Sequence, residues 1–180
     1  DNITQLWIAV DPYKHRAMRI LGVPETYITG DASDFEKFEK WYGCLPRLIG
    51  NPLFDWSMME FSLVFDMDIY PFTKSAKEVW DEVNQKVQVL SARKILQKFA
   101  IEYSAPCASI VDDLSYFQPS EGICPSLRGD DMVNVTTAFV GRLEAVTGKL
   151  ITKLEDFEQA IEQRLLEFIA KGCAYTDHAL

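Results

Sequence analysis

No two of the four cysteines, Cys44, Cys107, Cys124 and Cys173, stand in a C-x-x-C spacing, which gives no signal for a zinc ribbon or a redox dithiol. Thiols so scattered are expected to be reduced and buried. Positive charge is scarce as well. The chain has 18 Lys and Arg against 27 Asp and Glu, a net charge of -9, so it repels phosphate backbones and acidic membrane surfaces, and neither nucleic acid nor membrane is an expected partner. No apolar run reaches the about 18 residues that mark a membrane-spanning helix, and Asp1 opens on mixed sequence in place of a basic, then apolar, leader. A cytoplasmic setting is the expectation. A zincin helix, a phosphate-cradling glycine loop, a nucleophile elbow and a dinucleotide fingerprint are all lacking. Two sequons, Asn2-Ile-Thr4 and Asn134-Val-Thr136, are short enough to arise by chance and carry no weight without a leader.

What is present is enough for a core. With 48% hydrophobic and 12% aromatic residues, 180 residues can form one or two packed units, since domains usually hold roughly 100–150. The texture changes near residue 100. Before it, helix starts recur: Ser33-Asp-Phe-Glu36 and Ser75-Ala-Lys-Glu78 are capping boxes, and Asn51 stands before Pro52. Phe35, Phe38, Trp41 and Tyr42 follow at helical spacing, as do Val79, Trp80, Val83 and Val87. Gly22, with Pro24 behind it, closes the helix begun near Tyr13.

Beyond residue 100, short apolar runs end in loop-forming residues: Ile101–Ser104, Ile123-Cys124 and Ala174-Tyr175. Helical segments lie between them, the clearest starting at Thr152-Lys-Leu-Glu155 and ending at Gly172. This alternation is parallel α/β architecture. A closed barrel needs eight strands and about 250 residues, so three strands are a segment of one. The expected fold is mostly α with a small α/β part: a helical subdomain over 1–98, then a partial α/β layer over 99–180. Unpaired strand edges imply association, so a homo-oligomer or a non-barrel packing is expected.

In such folds reactive groups collect at the carboxyl ends of strands. Ser126-Leu-Arg128-Gly-Asp130-Asp131 follows one expected strand, and Asp177-His178 follows another. A guanidinium there suits a substrate carboxylate, which its planar fork can grip with two parallel hydrogen bonds. The same spacing also suits an ordinary ion pair with Asp130 or Asp131. His178 is one of only two histidines and could carry a proton or serve structurally. His15 reads as packing or solvent-facing.

Several strings closely resemble the uronate isomerases, the glucuronate and galacturonate isomerases of the amidohydrolase superfamily. They are Tyr13–Arg19, Thr29–Ser33, Ile49–Leu53, Pro125–Asp130 and Gly172–Leu180, in the family's order and roughly its spacing. The resemblance implies a distorted (β/α)₈ barrel with a helical insertion after its first strand, of which this chain holds the insertion and a partial barrel segment. It also implies interconversion of aldo- and keto-uronates of the D-glucuronate/D-fructuronate type. By that likeness Arg128, with Asp130 beside it, holds the uronate, while Tyr13, Asp177 and His178 are the catalytic candidates. The family's paired-histidine metal motif would fall before Asp1 and a further aspartate ligand after Leu180, so the metal, Zn²⁺ or another divalent ion, belongs to the parent protein and this chain has no metal site of its own.

The chain departs from the family at the site. Pro12 stands where the family has a histidine, and Ala108 and Ser109 stand where it has two carboxylates; Leu127 and Gly129 flank the arginine in place of tryptophan and proline. The piece is expected to be inactive alone. A non-catalytic helical interaction or sugar-acid-binding module, and another metal-dependent amidohydrolase, are the alternative readings.

Overall fold

The computed structural model describes residues 1–178. Contacts divide the chain into two compact units, Asp1–Ile95 and Leu96–Leu180.

In the first unit the main α-helices begin where a side chain can receive otherwise unpaired amides. Asn2 caps α1 (Ile3–Trp7) and closes a capping box with Gln5; Asp11 caps α2 (Pro12–Ile20), with Pro12 at its first position. Gly22, at φ +83°, takes the left-handed conformation just after α2. Ser33 and Glu36 form the expected box on α3 (Asp34–Cys44), and Asn51 caps α4 (Pro52–Met59). A π-helical turn over Glu60–Val64 continues α4. Ser75 and Glu78 start α5 (Ala76–Val87), and α6 (Ala92–Lys98) runs across the division between the units.

The expected stripes face inward. Phe38 and Trp41 of α3 and Val79 and Val83 of α5 are fully buried, together with Met18, Phe61, Ile3 and Ile8. Edge-to-face contacts lock the aromatic part, with Trp7 5.1 Å from Phe61 and 6.3 Å from Trp41 between ring centres. Burying each such side chain contributes about 1.5–3 kcal/mol.

The second unit carries a three-stranded parallel sheet in the order β1 (Cys107–Ser109), β2 (Ser126–Arg128), β3 (Thr176–Asp177). These strands begin a few residues later than the apolar runs suggest. The cause is proline: Pro106 and Pro125 stand at strand entries, where a missing amide is harmless, and pairing runs on past them, with Ser126 N–H donating to Pro106 O at 2.9 Å. Arg128 and Asp177 therefore close strands, rather than sitting in the loops that follow. Three helices separate β2 from β3: α7 (Asp130–Val133), α8 (Thr137–Thr147) and α9 (Leu154–Ala170).

Side chains alternate across a sheet. Ala108 and Leu127 enter a core with Phe139 and Leu143 of α8 and Ala160 and Phe168 of α9. On α9, Phe168 is buried and Phe157, Ile161 and Leu165 pack against this core, while Leu154 and Ile169 are exposed and Ala160 and Arg164 are buried. Its start is also shifted. Lys153 is the capping residue and has no side-chain oxygen, so the expected Thr152–Glu155 box does not form, and Asp156 instead accepts from the Thr152 amide and hydroxyl. Gly172, at φ +80°, ends α9, and a Cβ there would lie 2.8 Å from Cys124 Sγ. Among the described residues no helix is long and apolar enough to cross a membrane.

Candidate functional site

The strand register sets Ser109, Arg128 and Asp177 in one row at the carboxyl ends of β1, β2 and β3. Because side chains two apart share a face, Cys107 and Ser126 lie behind this row, and the intervening Ala108 and Leu127 go into the core. The hydrophobic register thus puts the polar row on the face opposite the core side chains of Ala108 and Leu127.

Arg128 sits at the centre of a hydrogen-bonded cluster. Its Nε donates to Asp130 Oδ2 at 2.6 Å and its Nη1 to Asp177 Oδ2 at 2.9 Å. Asp130 holds the guanidinium pKa above its usual value, with Asp177 adding to the effect. Cys107 Sγ donates to the same Asp177 oxygen at 3.0 Å; that bond, then burial, raises the thiol pKa, so the sulfur stays a protonated donor rather than a thiolate. In return the Cys107 bond leads in lowering the Asp177 carboxyl, helped by the His178 backbone amide and Arg128. Asp177 is therefore ionised at neutral pH. Next to this group, Ser109 Oγ donates to Asp131 Oδ2 at 2.6 Å, and Arg142 lies 3.8 Å from the same oxygen.

A cavity of about 380 Å³ opens beside the row, lined by Gly129, Asp130, Met132, Val133, Asn134, Thr176, Asp177 and His178. That volume suits a ligand of monosaccharide size. Asp130, Asp177 and His178 would meet it directly.

Of the residues singled out from sequence, Arg128, Asp130, Asp177 and His178 come together here. Tyr13 belongs to the helical unit, in the first turn of α2, and is 70% exposed. The ion pair that spacing alone allowed for Arg128 forms with Asp130, while Asp131 turns to Ser109. His15 is buried, with Nε2 2.8 Å from Ile8 O, as a packing residue. The reading of the cysteines as buried holds for Cys44 and Cys124 but not for Cys173, which is half-buried, or Cys107, which is exposed; all four are free.

Two residues at or near the site carry no sequence signal. Cys107 looks like any isolated cysteine until β1 is placed. Arg164 occupies a helix position that reads as surface, yet its side chain is 6% exposed; Nε and Nη2 donate to the Ile110 and Asp112 carbonyls at 2.7 Å each, and Nη1 pairs with Glu167. It braces the loop that leaves β1. Among the described residues no cluster of three or more His, Cys, Asp or Glu side chains is arranged to hold a metal ion, so these residues do not fit one unaided.

The sequence model of the family described as glucuronate isomerase matches residues 1–180. The chain belongs to the glucuronate isomerase family. The uronate isomerase of Endomicrobium trichonymphae is 36% identical to it, covering 99% of this chain and 41% of the relative. That of Caldanaerobacter subterraneus subsp. tengcongensis is 35% identical over the same shares. The chain therefore spans about two fifths of the length of these uronate isomerase relatives. The crystal structure of the uronate isomerase from Thermotoga maritima superposes with a TM-score of 0.81 at 26% identity, over 98% of this chain and 42% of that one. The glucuronate isomerase from Caulobacter crescentus shares the fold, with a TM-score of 0.85 at 18% identity over 99% of this chain and 41% of its own.

Proposed function

We propose that this chain supplies the sugar-acid-holding part of a uronate isomerase, which interconverts aldo- and keto-uronates of the D-glucuronate/D-fructuronate type. The observation that carries this reading is Arg128 at the carboxyl end of β2, hydrogen-bonded to Asp130 and Asp177, which line a sugar-sized cavity. The conversion moves one proton between adjacent carbons through an enediol and needs a base, an acid and a grip on the carboxylate. Arg128 is the grip. Its Nε and Nη1 are engaged by Asp130 and Asp177, whose side chains line the same cavity. His178 and Tyr13 are the proton carriers in this reading, and ionised Asp177 orients the hydroxyl whose proton moves.

The remaining parts of the reading rest on the family likeness for the barrel and the metal, and on charge, apolar patterning and strand edges for the rest. They are a (β/α) barrel completed by further strands, a cytoplasmic homo-oligomer, no nucleic-acid or membrane partner, and a divalent ion such as Zn²⁺, for which the described residues form no cluster. A non-catalytic sugar-acid-binding module is the second reading, favoured by Pro12 and Ser109, neither of which can transfer a proton as a histidine or a carboxylate does.

Calorimetric titration of the chain with D-glucuronate, beside Arg128→Ala and with D-glucose as the uncharged control, tests the grip. Arg128→Ala should bind D-glucuronate about tenfold more weakly or worse; equal binding removes Arg128 from the site. Turnover is tested in the full-length protein, since this piece is expected to be inactive alone, with D-glucuronate and D-galacturonate and with and without added Zn²⁺. Binding without turnover of either sugar selects the module.

A further inference from the structure

We infer that Lys14 is a positioning residue for Tyr13, a buried ammonium that fixes the first turn of α2 on which the Tyr13 phenol is carried. The inference rests on the reading that gives Tyr13 a role at the sugar.

Tyr13 and Lys14 are neighbours in opposite surroundings, 70% and 5% exposed. The first turn of a helix ordinarily frays, and an exposed side chain on it would wander. Here that turn is tied. Asp11 Oδ1 accepts the amides of Tyr13 at 2.9 Å and Lys14 at 3.2 Å, while Oδ2 accepts Lys14 Nζ at 2.6 Å. Both oxygens of the cap are thus used, and the ammonium closes the ring. Pro12 adds a fixed φ at the position between cap and tyrosine.

The same ammonium holds the turn to its surroundings. Nζ lies 4.9 Å from the ring centre of Trp7 on α1 and 6.0 Å from that of Trp41 on α3. The Trp7 indole in turn donates to Glu60, where α4 passes into the π-helical turn. A buried ion pair is a weak source of stability, since desolvation cancels most of its attraction and an apolar pair of equal shape does as well. What Lys14 adds that an apolar residue cannot is a fixed point shared by the cap, α1 and α3. With its ammonium engaged and covered, Lys14 does not itself reach a ligand.

A double-mutant cycle in the intact protein tests this. Lys14→Met keeps a long side chain between the rings and removes the charge. It should lower kcat on D-glucuronate about 10- to 100-fold with little change in KM, and should lower it no further in a Tyr13→Phe background. Asp11→Asn, which keeps the capping oxygen and loses the ion pair, serves if Lys14→Met does not fold, and should act in the same way. The Tyr13 amide should exchange with solvent about tenfold faster in either variant, while the Val83 amide does not change. Equal kcat losses from Lys14→Met with and without Tyr13 would overturn the inference alone. An unchanged kcat in Tyr13→Phe would overturn the site reading and this inference with it.

Discussion

Arg128 and Asp177 stand in register at the ends of neighbouring parallel strands, and the guanidinium Nη1 donates across that step to Asp177 Oδ2 at 2.9 Å. Both side chains are 39% exposed, so the pair adds little to stability. Its effect is on ligands. Asp177 repels the carboxylate that Arg128 would grip, and Asp177→Asn should tighten D-glucuronate binding about two- to fivefold while leaving D-glucose unchanged. In about 1 M salt, where charges are screened beyond roughly 3 Å, the gain should vanish. Calorimetry at both salt levels decides, and weaker binding of D-glucuronate in Asp177→Asn would refute the competition.

Glu60 gives a pH dependence of definite sign. Burial pushes its carboxyl above the ordinary glutamate value, against Lys14 and the Trp7 bond, which lower it. A raised folded-state pKa means that the fold holds the proton more tightly than the unfolded chain, so this contribution is full below about pH 4.3 and is lost as pH rises through the raised value. Glu25 runs the other way: held at about 2, chiefly by Arg19 and then Thr29, it contributes stability that is lost as pH falls. Comparing Glu60→Gln with the parent protein separates the two. Urea denaturation across that window should show Glu60→Gln gaining on the parent as pH rises, and parallel curves would refute the assignment.

Arg164→Met should cost about 1–3 kcal/mol for each carbonyl it leaves without a donor, those of Ile110 and Asp112. Amides from Val111 to Asp113 should exchange faster than the rest of the sheet. Unchanged stability in urea would show that the loop after β1 needs no brace.

Lys153 caps the longest helix with extended backbone, φ -146° and ψ 170°, but offers no acceptor. Lys153→Ser should raise stability by about 1 kcal/mol. Thermal melting is the measure, and a loss on substitution would mean that the 3.9 Å surface pair of Lys153 with Glu155 matters more than such pairs do.

Helix starts were the most legible part of the sequence, because a cap is a local device: Ser33, Asn51 and Ser75 act on amides a few residues away and do so in the structure. Strand positions were less so. The apolar runs at Ile101 and Ile123 lie just ahead of β1 and β2, since a parallel strand is defined by partners far along the chain and not by its own residues. At the site, Arg128, Asp130, Asp177 and His178 could be picked out from residue type and family likeness. Cys107 and Arg164 could not. Each owes its place to a long-range contact, 70 residues away for Cys107 with Asp177 and 54 for Arg164 with Ile110, and neither leaves a trace in spacing.

The alternation in β2 couples two demands usually met by separate parts of a protein. Leu127 points into the core and Arg128 away from it, one residue apart. A slip of β2 by a single residue would expose the leucine and drive the guanidinium toward Phe139 and Phe168, where a lone charge costs several kcal/mol. Misregistered forms of this sheet are thus rejected by folding before binding can test them. A substitution that relaxes the core side, such as Leu127→Ser, would blur where Arg128 points even though it touches no ligand.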